Sequence, residues 1–443
     1  MRGSRSIFFE RAEDLFILGS LLLVTQSIAP LIMVGASADE ALTDSNPATM
    51  FSALAAYAVA LLLLLRRPRQ ACGVALDNWL ILVVFALPLI SVFWSEQPGV
   101  SLRRAIALAM TGVYCLYIAT RLSPDEFLRR LLLALFIGGV ASILYTVLFP
   151  GVAIEHSAIN TGSWKGVYGH KAILGRIAAV AVAVSLYVRP RHRWEQAIRW
   201  ASIAIFLFLS YKSQSRASWL MILASLGFAV IFVAVRSPRL SNGIKLAVAA
   251  IISFSIVAGV IAGYSVILSD LGRTDTFSGR TSLWRGAIAV AMATHPYLGA
   301  GYRAFWTETG AAGVREYIMD WAGLPTHGHN GYLDVWLEMG IAGLVVFVAF
   351  VFTTVVRVGR RVIREPEETV WSALSIFIFI FILNNASVTV AFKHTDIAWI
   401  FAVLAFVYAR SSVTARQPAT SGRFAVPATS PAPLSAYAFR RVP

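Results

Sequence analysis

The sequence predicts an all-α, polytopic membrane protein with about twelve transmembrane helices and a large outer loop late in the chain. Three observations predict it. Of 443 residues, 58% are hydrophobic and 14% charged, far from the average soluble domain. The apolar residues come in long blocks, such as FILGSLLLVTQSIAPLIMV and AVAAIISFSIVAGVIAGYSVIL. A hydrocarbon core about 30 Å thick needs roughly 20 helical residues, which these blocks supply. The basic residues, finally, cluster in alternate connections between the blocks.

In chain order, spans are expected near 14–34, 48–65, 77–94, 102–120, 128–149, 171–188, 196–211, 216–235, 245–268, 335–356, 371–389 and 394–409. The first block is long and lacks a small-residue cleavage site, so it reads as a retained span rather than a signal peptide. The seventh and eighth spans nearly touch across YKSQSR. A broken or re-entrant pair is tolerated there if the polar backbone faces protein or water. One set of connections receives Arg2, Arg5 and Arg11, RRPR at 66–69, the loop 121–130, RPRHR at 189–193, the loop 236–245, RVGRRVIR at 357–364 and the tail. The other set is acidic or neutral: SADEALTDSNP, WSEQPG and the tip around 384–393. Both termini are therefore expected in the cytoplasm. Residues 1–410 read as one integral membrane unit that includes the outer segment 269–334. Residues 411–443, rich in Pro, Ala and Ser, read as a disordered tail. Topology accounts for most of the net charge of +15, so membrane lipids and not nucleic acid are the expected surroundings. Two cysteines, Cys72 and Cys115, make no disulfide framework.

Basic residues on the outer side are not required by topology. Arg216, in KSQSRASW, opens an apolar span; it reads either as an anchor snorkelling to headgroups or as an anion clamp. In TFSGRTSLWRGAIAVAMATHPYLGAGY, Ser278 or Thr281 can cap a helix beginning near Ser282. Trp284, Ile288 and Met292 would form its apolar stripe. Arg280 would then stand at the positive end of that helix, an unfavourable place for a cation unless an anion shares it. Further outer bases include Arg303, Arg315 and Lys393, among aromatic residues suited to headgroup depth.

The stretch LPTHGHNGYLDVWLEMG places His327, His329, Asn330 and Tyr332 at the mouth of a span. Asn330 suits an N-cap. His329 reads as a polar cap residue or as a proton acceptor, with His327 second to it. Two histidines with no nearby acidic partners in the loop do not suggest a metal, and neither a metal nor another cofactor is implied. In WKGVYGHKAILGR, Tyr168, His170, Lys171 and Arg176 lead into the sixth span; Arg176 lies about one turn inside and needs a partner. Arginines, aromatic rings and a neutral imidazole on one face suit a lipid-borne diphosphate sugar, whose leaving group needs its growing charge stabilised.

The blocks GVYGHKAILG at 166–175, SQSRASW at 213–219, SGRTSLW at 278–284, HPYLGAGY at 295–302 and HGHNGYLDVWLEMGIAGL at 327–344 resemble the O-antigen ligase and polysaccharide polymerase superfamily, especially polymerases of the ExoQ type. The resemblance implies a GT-C-like, metal-independent, inverting glycosyltransferase of the bacterial inner membrane. It implies an undecaprenyl-pyrophosphate-linked glycan as donor and as acceptor, an active site on the periplasmic side, and a flippase and copolymerase as possible partners in exopolysaccharide assembly. Carried over by motif, Arg216, Arg280 and His329 are the expected catalytic residues. Lys171, His170, Arg176, His327, Asn330, Tyr332 and Arg303 join Arg216 and Arg280 as expected substrate-binding residues. The sequence departs from the pattern at Ala172, where ExoQ-like relatives often carry asparagine. Ligation of a glycan to lipid A-core and flipping of a lipid-linked sugar are the competing readings.

Overall fold

The computed structural model describes residues 2–28, 47–156, 161–237, 280–318, 324–385, 390–394 and 396–410, with a few more between 239 and 247. Apart from Ala247, the expected span 245–268 lies outside the described residues, as do Ser278 and the tail 411–443. The helices are α1 (Arg2–Val24), α2 (Pro47–Leu64), α3 (Pro68–Asp77), α4 (Trp79–Ile90), α5 (Pro98–Arg121), α6 (Pro124–Leu148) and α7 (Lys171–Tyr187). They continue as α8 (Arg193–Ser213), α9 (Arg216–Arg236), α10 (Arg280–Thr294), α11 (Glu308–Arg315), α12 (Gly331–Arg364), α13 (Thr369–Asn385) and α14 (Ile397–Arg410).

Two helices are apolar on every side, and such helices belong in the interior of a bundle. In α14, every residue from Ile397 to Ala409 is buried. In α7, Ile177 through Ser185 are buried without a break, and the alternation of Ala and Val lets α8 and α9 approach closely. Around α14 the rings of Phe350, Phe381, Phe392 and Trp399 interlock, with Phe392 stacked on Trp399 at 5.0 Å. The surrounding helices expose apolar side chains outward, among them Leu62, Leu144, Leu223 and Phe352, as a lipid-facing surface does. Among the described residues, four helices can cross a membrane by length and composition: Pro98–Arg121, Pro124–Leu148, Arg216–Ala234 and Gly331–Arg364. Phe51–Leu64 and Pro68–Asp77 qualify only as a pair, bent by 104°, and Trp79–Trp94, Thr369–Asn385 and Ile397–Arg410 are apolar but shorter. The protein is thus an all-helical, multi-pass membrane protein.

The helix ends gather into two groups. At one, Arg121 pairs with Glu13 at 3.0 Å, Arg130 with Asp14 at 2.7 Å and Arg189 with Glu368 at 3.0 Å. Ser123 and Glu126 form a reciprocal capping box there, with Pro124 at the first helical position of α6. The other group carries the starts of α5, α7, α9 and α12. Two local expectations change. The first helix runs Arg2–Val24 rather than 14–34, because its charged first turns continue the same helix. The span expected at 335–356 is longer and broken at Gly340, whose φ of 65° and ψ of −161° are non-helical.

Candidate active site around His329

The stretch from His327 to Asn330 is held by its backbone. Asn330 caps α12, its Oδ1 accepting the amides of Tyr332 at 3.1 Å and Leu333 at 3.3 Å. The amide of Gly328 donates to Asp334 Oδ1 at 2.9 Å, and its carbonyl accepts Trp284 Nε1 at 2.7 Å. Asp334 is buried and also accepts Trp306 Nε1 at 2.7 Å. A β-carbon on residue 328 would stand 2.7 Å from Asp334 Oδ1, so only glycine fits this clamp. Pinned on both sides, Gly328 fixes the two histidines that flank it. Their rings lie 4.0 Å apart, and His329 occupies the left-handed region with φ of 50°.

Burial is the main force on both imidazoles and disfavours their charged forms. It pushes His327 down to about 3, helped by His329, Lys393, Arg303 and Arg280. His329 is pushed down to about 4, by burial first and then by Arg280. At neutral pH each ring is uncharged and keeps one nitrogen lone pair for a proton or a hydroxyl hydrogen. Arg280 is the first residue of α10, and Trp284, which holds Gly328, is four residues on. One helix face therefore presents the guanidinium and positions the histidines.

The stripe that buries α10 is not Trp284, Ile288 and Met292. Leu283, Ala287 and Ala291 are buried, while Ile288 and Met292 are exposed. Small residues decide the face: Gly286 packs so closely on Tyr317 that a β-carbon would come within 2.8 Å of its side chain. With Phe305, Val314, Ile318 and Leu337 this face makes a second apolar core, apart from the main bundle. Phe305 is therefore buried, and Tyr302 is buried in the main core, rather than displayed at headgroup depth, whereas Tyr297 is exposed; the outer aromatic residues Phe277 and Trp321 lie outside the described residues.

HPYLGAGY follows α10 and straps it to α12. The amides of Ala300 and Gly301 donate to the carbonyls of Leu337 and Glu338, both at 2.9 Å, and the amide of Ile341 donates to Tyr297 O at 3.0 Å. Tyr302 donates its hydroxyl to Phe392 O at 2.5 Å and its amide to Ser91 Oγ at 3.0 Å. The break at Gly340 lets this strap lie against α12, where Leu337 joins the outer core and Val335 and Met339 the main one. His295 sits 3.2 Å from Glu96 and belongs to this strap.

A second basic cluster lies at the starts of α7 and α9. His170 caps α7, Nδ1 accepting the amide of Ala172 at 3.1 Å. Lys171 and Arg216 open adjacent helices and repel each other. Gly175 allows this approach, since a β-carbon there would stand 2.6 Å from Ser215. Arg216 is exposed. Arg176 has its partner: it pairs with buried Asp396 at 3.3 Å, tying α7 to the turn before α14. That turn also carries Lys393, which acts on His327.

The structure thus joins Arg280, Arg303, His327 and His329 in one cluster and Lys171 with Arg216 in another, with Arg176, Asp396 and Lys393 between them. Tyr332 packs on Phe347 at 5.6 Å, its ring half-buried. The residues that sequence reasoning passed over are Asp334 and Glu338, both buried, one helical turn apart. Two acidic residues in an apolar helix mouth were the available signal.

Comparison with known proteins gives two likenesses. Residues 200–348 match the O-antigen ligase family. The chain is similar to that family over this stretch. It is also similar to the exopolysaccharide production protein ExoQ of Rhizobium meliloti (strain 1021), 28% identical over 348 residues, 74% of this chain and 77% of that protein. The matched stretch runs from α8 to just past the break at Gly340. It contains Arg216, Arg280, Arg303, the histidine loop and Asp334, whereas His170, Lys171 and Arg176 come from the helix before it.

Proposed function

We propose that this protein polymerises undecaprenyl-pyrophosphate-linked oligosaccharide repeat units into exopolysaccharide at the periplasmic face of the bacterial inner membrane. The observation that carries the reading is the neutral His327–His329 pair held beside Arg280 by the Gly328 clamp. An acceptor sugar hydroxyl donates its hydrogen to His329 as its oxygen attacks the anomeric carbon. The bond from that carbon to the diphosphate oxygen breaks, the electron pair leaves with undecaprenyl pyrophosphate, and the anomeric configuration inverts. Arg280 meets the growing negative charge, and Arg216 with Lys171 forms the second anion contact. Arrival of the diphosphate offsets Arg280 and raises the basicity of His329, so the base strengthens when the donor is in place. Arg303, His327, His170, Asn330 and Tyr332 border the sugars. Arg176 contributes through its pairing with Asp396, as a positioning residue.

The wider proposal is a twelve-span, GT-C-like bundle with cytoplasmic termini, acting beside a flippase and a copolymerase. Support comes from the match to the O-antigen ligase family, the likeness to an exopolysaccharide production protein and the alternation of basic connections. The name of the matched family favours a second reading, a ligase, here one that transfers the glycan to lipid A-core. Reconstitution with defined lipid-linked repeat units separates the readings. A ladder of chain lengths on the lipid carrier is expected. Glycan found on added lipid A-core identifies a ligase, and movement of the lipid-linked sugar across sealed vesicles without a new glycosidic bond identifies a flippase.

A further inference from the structure

The end of α12 lies about 50 Å of helix away from its start at the histidine loop. There a cavity of about 330 Å³ opens between the C-terminal turns of α12 and α14. Five arginines line it, Arg357, Arg360, Arg361, Arg364 and Arg410, against the single carboxylate of Glu365. Cations suit helix C-termini, and two of the five are accounted for in that way. Arg357 stacks on Phe406 at 3.9 Å and donates to Phe406 O at 3.3 Å and Asn78 Oδ1 at 2.8 Å. Arg361 donates to Ala409 O at 3.0 Å and pairs with Glu365, which also accepts Trp371 Nε1 at 2.7 Å.

Arg360, Arg364 and Arg410 are surplus to this capping. All three are exposed, and none has an ion pair among the described residues. Three guanidinium groups around one concavity repel one another unless an anion shares the space. The choice of Arg at all five positions favours a group with several oxygens at fixed angles, because the planar fork binds phosphate through paired hydrogen bonds. On the same helix, Phe352 and Ile363 are 67% and 80% exposed, so the cavity mouth adjoins a surface that faces acyl chains. A soluble phosphate has no use for that neighbourhood, whereas a lipid fills both parts.

We propose that this cavity binds the phosphate headgroup of an anionic membrane phospholipid, with Arg360, Arg364 and Arg410 as its contacts and the apolar face of α12 beside its chains. The site is separate from the glycan-transfer centre and does not depend on that reading. Native mass spectrometry of the full-length protein, released from micelles containing phosphatidylglycerol or phosphatidylcholine, tests it. The wild type is expected to retain phosphatidylglycerol over phosphatidylcholine, and Arg360→Ala/Arg364→Ala to weaken that retention at least about tenfold, the scale of two basic residues at a headgroup. Arg67→Ala/Arg69→Ala removes two exposed arginines from the same end, outside the cavity, and is expected to retain the lipid. Equal retention of both lipids by the wild type overturns the proposal, and this arm needs no variant. Equal losses in the two double variants overturn it as well, since they mark diffuse attraction. Inorganic phosphate bound at the cavity without lipid retention overturns the lipid assignment.

Discussion

Asp334 gives the sharpest structural handle on the candidate site. Its buried carboxylate accepts the Gly328 amide and the Trp306 indole at 2.9 and 2.7 Å. Asp334→Ala leaves both donors without an acceptor, and each buried donor so stranded costs about 1–3 kcal/mol. The expected destabilisation is therefore about 2–6 kcal/mol, read as a lower melting temperature in detergent. Asp334→Asn can keep Oδ1 for both donors but sets its amide against the Gly328 amide where Oδ2 accepted at 3.2 Å, so its cost falls near the lower half, about 1–3 kcal/mol. Because Gly328 fixes the two histidines, the milder variant is also expected to slow transfer by about 100-fold, the scale of misplacing a reacting group by roughly 1 Å. The donor KM should change much less, since the arginines stay in place. The assay is reconstituted transfer, measured as kcat and KM on the folded fraction. Asp334→Asn with wild-type kcat, or Asp334→Ala with an unchanged melting temperature, would refute the clamp.

Four other outcomes follow from the same structure. His329→Asn keeps a residue that tolerates positive φ, so it should fold normally while transfer falls by about 10²–10⁴, the range for a lost general base; circular dichroism and product analysis check the two halves. Burial is the larger force on His329 and Arg280 the lesser, so Arg280→Ala should move the titration of that imidazole, followed by NMR, up from about 4 while leaving it below 6.5. The neutral ring is the form that accepts a proton and is lost as pH falls through that titration, so the variant's acid limb moves to higher pH. In the wild type, the unfolded chain takes up protons at His327 and His329 below about 6.5 while the folded chain does so only near 3 to 4, so stability should decline as pH falls through that window. Gly340→Ala puts a β-carbon 1.9 Å from Tyr297 O at a φ and ψ that glycine alone adopts readily, and should cost more than about 3 kcal/mol in thermal melts.

What the sequence revealed was local. Helix α7 runs Lys171–Tyr187 where 171–188 was expected, because a histidine cap, an apolar run and RPRHR mark its limits within the chain itself. Asn330 as the cap of α12 was legible for the same reason. The buried face of α10 was not. Two apolar stripes, one residue out of phase, compete along RTSLWRGAIAVAMAT, and the choice rests on Tyr317 packing against Gly286. The break at Gly340 was hidden because LEMGIAGL reads as a continuous helix until the HPYLGAGY strap takes its backbone hydrogen bonds. The grouping of Arg280 with His327 and His329 followed from motif resemblance, but its mechanical cause, Asp334 and two tryptophans around one glycine, depends on long-range contacts.

The central claim is that two basic clusters, one at Arg280 and His329 and the other at Lys171 and Arg216, serve a single diphosphate. A cryo-electron microscopy map of the protein with a short-chain polyprenyl diphosphate bound tests it most directly. The account predicts diphosphate density touching Arg216 and Arg280, with His329 facing the side where the sugar would attach. Density that contacts neither arginine, or that sits at the far end of the bundle, would contradict it.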